Sequence, residues 1–339
     1  MTHPVHTPVV VADGALVRFA LADLLAGEAA SMRIEISDGG AAEPWLTRLV
    51  GADASLTALG AGHADVPARP ELATLALLLW ARRWWPASPV LGVPSLDAAL
   101  LDLETAVATA AVEDLAEGLL DGFEATPAEL FDAAAEGLSA AEEVRDLCTR
   151  LSAWFDGRDD VVRAEAAAGP AAAVAPGRRA YALAAGADSP VPGEGVVTEG
   201  RASVDWARVP PGVLDAAENT VTWRVVMAPA RLEVEVAGAF ADAALSAFAD
   251  HDGEVFAEVP LHLGAGRFAG SAELDDAAAR LAASAPIGLT VGVTAEGVIG
   301  TTPEDRAEVV SLVRAREALP LSARTLAERV AAGAADEEF

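Results

Sequence analysis

Residues 221–236 read VTWRVVMAPARLEVEV, and this stretch carries the clearest fold signal in the second half of the chain. Its two ends, residues 221–227 and 232–236, are short strand-like runs rich in β-branched residues, which predicts two strands. Further runs of this kind occur at residues 245–248, 255–263, 267–274 and 287–293. Short strands with frequent turns are typical of a sandwich. We therefore expect an antiparallel β-sandwich-like domain over residues 201–300.

Two glycine-containing turns separate these runs. Asp252-Gly253 is a typical two-residue hairpin turn. The stretch Gly264-Ala265-Gly266 has the glycine content of a dinucleotide-binding loop but not its spacing, and strand-like residues flank it on both sides. A loop of that type must open a helix, because the helix N-terminus holds the phosphate. We interpret this second stretch as another hairpin turn.

The first half of the chain is predicted to be mainly helical. Apolar residues repeat at helical spacing over residues 72–85, until Pro86 ends the run. Three more helices are predicted, beginning after Ser95, at Thr126 and at Ser139, the last two with capping residues. Four helices joined by short turns are typical of a bundle. We expect a four-helix-bundle-like domain over residues 1–165, with a small β-hairpin at residues 9–20.

A length of 339 residues favours two domains. The composition of the chain marks one boundary between them. Residues 166–200 are rich in alanine, glycine and proline and are predicted to form a linker. Residues 301–339 are predicted to hold two helices, beginning at Thr302 and Ser322, and an acidic tail. The predicted fold class is therefore α+β.

The charge of the chain argues against several kinds of partner. There are 52 acidic and 23 basic residues, which gives a formal net charge of -29. A field of that sign repels nucleic-acid phosphates and anionic lipid headgroups. We therefore expect neither a nucleic acid nor a membrane as the partner.

Every basic residue apart from histidine is an arginine. The lack of lysine excludes a Schiff-base lysine and the lysine that a phosphate-binding P-loop requires. The bias towards alanine and arginine is typical of very GC-rich genomes such as those of actinobacteria.

The sequence predicts a cytoplasmic protein. Residues 1–12 lack the basic region and the long apolar run of a signal peptide. The longest apolar run is far shorter than the ~18 residues of a membrane span. The single cysteine, Cys148, allows no disulfide within the chain.

Most residues that could carry chemistry have a simpler structural interpretation. Cys148 lies four residues after Val144, on the predicted buried face of its helix, so we expect a core thiol. His251 lies in an acidic turn at residues 250–254. Calcium takes about six or more oxygen ligands, and this turn alone cannot supply them. We expect no metal site and no cofactor, and the sequence identifies no catalytic residues.

Residues 80–86, WARRWWP, are the most unusual stretch of the chain. They place Trp80, Trp84 and Trp85 beside Arg82 and Arg83, and these residue types dominate binding energy at protein interfaces. A structural explanation competes with this one. Cations favour a helix C-terminus, and tryptophans four residues apart share a helix face that a core could bury.

Three hypotheses of function follow from these patterns. The first is a non-enzymatic cytosolic adaptor that binds another protein through the WARRWWP stretch and through Phe339 at the end of the acidic tail. A bacterial stress-response or conflict system is a setting that would suit such an adaptor. The second is a small-molecule binding or sensor protein with an apolar pocket lined by Trp80, Trp84 or Trp154. The third is an enzyme with a dispersed site that uses His251 or His262 with a carboxylate. We rank them in that order.

Overall fold

The computed structural model describes residues 3–113, 138–172, 195–227, 229–294 and 299–337. Within these residues the protein is mixed α/β, with ten α-helices and two antiparallel sheets. The chain divides into two compact units. The first comprises Met1–Trp85, Leu96–Arg179 and Ala307–Phe339, and the second comprises Pro86–Ser95 and Ala180–Arg306.

The helices, numbered in chain order, have the following bounds: α1 Leu21–Ala26, α2 Gly39–Val50, α3 Ala52–Ala61, α4 Pro70–Trp84, α5 Ala98–Ala111, α6 Leu138–Asp156, α7 Val161–Ala172, α8 Asp276–Ser284, α9 Pro303–Arg316 and α10 Leu326–Glu337. None of the helices that the structure describes has both the length and the hydropathy of a membrane span.

The first unit contains a four-stranded antiparallel sheet in the order β1-β2-β3-β4. Its strands are β1 Val9–Ala12, β2 Ala15–Arg18, β3 Ser31–Ile36 and β4 His63–Pro67. The hairpin predicted at residues 9–20 corresponds to β1 and β2, in which Val10 pairs with Val17 and both side chains are fully buried. The sheet is larger than the sequence predicts, because β4 is an exposed strand without a clear apolar alternation.

The helical part of the first unit confirms only some of the predicted helices. Helix α4 begins at Pro70 and buries its leucine face, and α4 packs against α5, which packs against α6. The helix predicted to begin at Thr126 lies outside the described residues, so a four-helix bundle is not confirmed. The last helix begins at Leu326 rather than at Ser322. Leu321–Ala323 forms a 3₁₀ turn instead, and Thr325 caps α10 through a reciprocal pair of hydrogen bonds with Glu328.

A buried arginine holds three segments of the first unit together. The Arg316 guanidinium donates to both carboxylate oxygens of Glu328 on α10, at 2.5 and 2.8 Å. Its other N–H groups donate to the carbonyls of Leu24 and Leu25 at the end of α1 and of Ala323. All five donors are therefore used, which is what a guanidinium with 3% exposure requires.

The second unit contains a seven-stranded antiparallel sheet in the order β11-β8-β9-β10-β7-β6-β5. Its strands are β5 Val196–Ala202, β6 Val221–Val226, β7 Arg231–Ala237, β8 Leu245–His251, β9 Glu254–Gly264, β10 Arg267–Glu273 and β11 Gly288–Gly292. The predicted turns are present: Asp252-Gly253 joins β8 to β9, and Ala265-Gly266 joins β9 to β10, all four residues with positive φ. Strand β5 and helix α7 both extend into the predicted linker of residues 166–200.

These strands join in one curled sheet, so the predicted sandwich of two sheets is not confirmed. The reason lies in β9, whose 11 residues pair with β8 up to Leu261 and with β10 from His262. A Cβ atom at Gly270 would lie 2.1 Å from the carbonyl oxygen of Pro260, so only glycine allows β10 to pass so close to β9.

The core of the second unit lies on one face of this sheet. Alternate residues of the strands, such as Val221, Val225 and Val234, are buried there. Helix α8 covers this face with Ala278 and Ala282. Because side chains alternate along a strand, the residues between them point to the opposite face of the sheet.

Candidate functional site

The structure places Trp80, the first of the predicted binding residues, in the core of the first unit. Its side chain is 2% exposed, and its Nε1–H donates to the carbonyl of Val5 at 2.7 Å. A buried indole with its one donor satisfied stabilises the fold. Trp80 is therefore not available to a partner at the surface.

The other residues of the WARRWWP stretch are engaged by neighbours in the same unit. Arg82 forms an ion pair of 2.6 Å with Asp102 on α5. The Arg83 guanidinium lies 4.3 Å from the ring centre of Trp84, which also contacts His3 edge-on. Trp85 packs edge-on against the buried Trp80. Trp84 and Trp85 are half-buried, so binding through them stays a prediction.

Other predicted residues do not come together in a site. Phe339 lies outside the described residues. Trp154 packs against Phe155 and under the Arg158 guanidinium. His251 contacts the carbonyl of Pro286 through Nδ1 at 3.0 Å. In the part of the chain that the structure describes, no group of three His, Cys, Asp or Glu side chains could hold a metal ion.

The single thiol is a core residue, as its helix face predicts. Cys148 is 1% exposed on α6, and burial raises the pKa of its thiol to about 11. Because the thiolate is the nucleophile, a thiol of this pKa is inert at neutral pH.

The second unit has an open groove of about 1030 Å³ on the sheet face opposite the core. Five strands contribute to it, β5, β6, β7, β10 and β9. Its polar lining consists of Glu199, Arg201, Thr222, Arg224, Glu233, Glu235, His262 and Ser271. These side chains are held by paired strands, so their positions are fixed by the sheet register and not by loops.

Ion pairs order the centre of this groove, which we call the sheet groove. The Arg224 guanidinium on β6 contacts Glu233 on β7 at 2.5 Å, and Arg231 contacts the other oxygen of Glu233 at 2.6 Å. Burial alone would raise the pKa of Glu233, but the hydrogen bonds and charges of Arg224 and Arg231 outweigh it and hold this pKa below its ordinary value. Glu233 is therefore ionised at neutral pH.

Hydrogen-bonding side chains surround these ion pairs. Thr222 on β6 lies opposite Glu235 on β7, and Ser271 on β10 lies opposite Glu233. His262 on β9 lies in the same cross-strand row as Glu235, two strands away. The groove therefore offers positive, negative and neutral polar groups over a rigid surface, in a chain whose net charge is strongly negative.

The sheet groove is not among the sites predicted from the sequence, although its signal is present in residues 221–236. In VTWRV and RLEVEV, Thr222, Arg224, Glu233 and Glu235 alternate with apolar residues, which assigns them to the solvent face of two strands. What the sequence does not show is that β6, β7 and β10 are neighbours, because pairing between distant strands is not a local property.

A smaller groove of about 600 Å³ lies on the four-stranded sheet of the first unit. Arg18 contacts Glu35 at 2.8 Å, and Arg33 contacts Glu35 at 3.6 Å and Asp65 at 3.4 Å. These ion pairs join β2, β3 and β4 across the sheet. They explain the charged lining of this groove as a solvated face of the sheet.

Comparison with known proteins assigns no relative to this chain: no family model, no curated protein and no solved structure matches it.

Proposed function

We propose that this chain is a non-enzymatic adaptor that binds another protein in the sheet groove of the second unit. The observation that supports the proposal most strongly is the groove itself, an open depression of about 1030 Å³ built on paired strands. A rigid surface loses little conformational entropy when a partner binds, which favours association.

The lining of the groove indicates the chemistry of the partner. Arg224 and Glu233 are already paired, so a partner that hydrogen-bonds to them does not have to neutralise a buried charge. Thr222, Ser271 and His262 add donors and acceptors beside them. We expect a protein surface that presents both acidic and basic side chains, since the groove presents both signs.

We therefore propose a binding site on the sheet and no longer in the WARRWWP stretch. The stretch still contributes to the first unit, where Trp80 and Arg82 hold α4 against neighbouring segments. A setting in bacterial stress response or in a conflict system remains part of the proposal.

The test is affinity capture from an extract of the source organism, followed by reconstitution with the purified captured protein. Ser271→Arg places a long cation opposite Glu233 and fills the groove. Ser322→Arg is the matched control, because it makes the same change at an exposed position of the first unit. Both variants are first checked for native circular dichroism.

We expect one dominant protein that the wild type and Ser322→Arg both capture and that binds the purified chain. Ser271→Arg should lose it or bind it at least about tenfold more weakly, which corresponds to about 1.4 kcal/mol. If no protein is captured, or if Ser271→Arg binds as well as the control, the groove is not the adaptor site. Binding of a small metabolite in the groove instead would support the hypothesis of a small-molecule binding or sensor protein.

A further inference from the structure

Strand β5 forms one edge of the seven-stranded sheet. In the part of the chain that the structure describes, its backbone pairs with β6 on one side and with no strand on the other. It is seven residues long and carries the exposed residues Val197, Glu199 and Arg201. An open edge of this length is a template for the addition of another strand.

The sequence of this edge is complementary to itself. Glu199 and Arg201 flank Gly200 and lie on the same face of β5, because side chains two residues apart share a face. Neither side chain has an ion-pair partner among the described residues. If a second β5 runs antiparallel with Gly200 opposite Gly200, then Glu199 of each copy lies opposite Arg201 of the other.

We propose that two copies of this chain associate through β5, antiparallel and about a two-fold axis at Gly200, to form one continuous sheet. The axis makes the contact isologous, so each favourable contact occurs twice. Directly opposite residues on an antiparallel pair have Cβ atoms about 5 Å apart, which brings each carboxylate to its guanidinium.

Gly200 itself suits the centre of this arrangement. On the core face of the sheet, the indole of Trp223 lies across Gly200, where a Cβ atom would be 2.6 Å from the ring. The edge strand is thus supported from the core side by an aromatic ring. A glycine at the two-fold axis also leaves the second strand free to approach.

Charge selects this register over its neighbours. A shift of the second strand by two residues would remove both ion pairs and place Glu199 opposite Glu199 or Arg201 opposite Arg201. The Glu-Gly-Arg sequence therefore specifies one alignment of the two strands. Because a single pair of strands buries less surface than a stable dimer requires, we expect a dissociation constant between about 1 µM and 1 mM.

The experiment is sedimentation velocity of the whole chain over this concentration range in about 0.15 M salt. At this ionic strength the Debye length is about 8 Å, so distant repulsion between two acidic chains is screened and adjacent charges still interact. The variants are Glu199→Arg, Arg201→Glu and the double variant with both changes. Glu254→Arg, at an exposed position of β9, is the control for Glu199→Arg.

We expect the wild type, the Glu254→Arg control and the double variant to dimerise. Each single variant should dimerise at least about tenfold more weakly, because symmetry places two like-charged pairs directly opposite each other. An equimolar mixture of the two single variants should restore the dimer. In the mixed pair, the two arginines that flank Gly200 in one variant face the two glutamates that flank it in the other.

Three results would each overturn the proposal: a wild type that stays monomeric at about 1 mM, single variants that dimerise as well as the wild type, or a mixture that does not recover the dimer. Ser271→Arg does not alter β5, so it should leave dimerisation unchanged. Glu199 and Arg201 also line the sheet groove, so their variants are compared by dimerisation alone, and the adaptor site is tested by partner capture with Ser271→Arg.

Discussion

At the scale of single residues, Arg316 shows how a charge can be buried in this protein. Its guanidinium is surrounded by Glu328 and three backbone carbonyls, and its side chain is almost fully covered. Loss of one partner of such a pair leaves the other charge buried without compensation. Arg316 therefore stabilises the fold more than an exposed arginine on the same helix does.

We expect Arg316→Met to lower the free energy of unfolding by about 3–5 kcal/mol. Arg314→Met is the matched control, because Arg314 is an exposed arginine two residues earlier on α9, and it should cost less than about 1 kcal/mol. Urea unfolding followed by circular dichroism measures both. Equal losses in the two variants would show that the Arg316 network adds nothing to stability.

The thiol of Cys148 makes stability depend on pH in the alkaline range. Burial raises its pKa from its ordinary value near 9 to about 11, so between these values the folded chain keeps a proton that the unfolded chain has lost. The contribution of Cys148 to the free energy of unfolding is therefore fully present below pH 9. It falls as the pH rises towards 11, by up to about 1.4 kcal/mol per pH unit. The chain has no lysine and one tyrosine, so few other side chains titrate in this window.

The comparison of wild type with Cys148→Ala isolates this contribution. The variant loses packing and is less stable at about pH 8. The difference in free energy of unfolding between the two proteins should be smaller at about pH 10, since only the wild type has a thiol to ionise. A gap that is constant or wider at the higher pH would mean that the thiol is not shielded from water.

At the scale of secondary-structure elements, a glycine allows two strands of the seven-stranded sheet to approach closely. Gly270 is the residue at which β10 passes the carbonyl of Pro260, and no side chain fits there. By contrast, Gly60 in α3 has open space where a Cβ atom would lie. The two glycines should therefore respond in opposite directions to the same substitution.

We expect Gly270→Ala to destabilise the protein by about 1–3 kcal/mol, because the two strands must separate. Gly60→Ala should stabilise it by about 0.5–1 kcal/mol, since alanine is the better helix former. Thermal unfolding of both variants beside the wild type tests this. A stable Gly270→Ala protein would show that β9 and β10 do not approach so closely.

The elements that could be predicted from the sequence are those with strong local signals. Leu72, Leu75 and Leu79 predict α4, and the Asp252-Gly253 turn predicts the β8–β9 hairpin. Helix α2 is missed because it begins with two glycines and contains Pro44, all of which disfavour helices. It forms because Asp38 caps its first turn and Trp45 donates to the carbonyl of Asp13 at 2.7 Å.

At the scale of the whole molecule, the sequence predicts a mixed α/β protein with a β-rich second half but not the arrangement of its sheets. The helices after residue 301 belong largely to the first unit, and residues 86–95 belong to the second. Such long-range associations follow from side chains that meet only after folding. Glu104 on α5 accepts hydrogen bonds from the backbone N–H groups of Leu326 and Ala327, 222 and 223 residues later in the chain.

The proposed site is harder to predict from the sequence than the fold, for the same reason. The tryptophans and arginines of WARRWWP indicate a binding surface in the sequence, but Trp80 is buried in the core. The residues of the sheet groove are ordinary polar residues of strands, and only the pairing of β6, β7 and β10 brings Thr222, Glu233 and Ser271 together.

The most direct test of the adaptor site is hydrogen exchange of the chain with and without its captured partner, read by mass spectrometry on peptides. We predict slower exchange, on binding, in peptides of β6, β7 and β10, whose side chains line the sheet groove. Slower exchange confined to peptides that contain Trp84 and Trp85 would contradict this site, and would return the binding surface to the WARRWWP stretch.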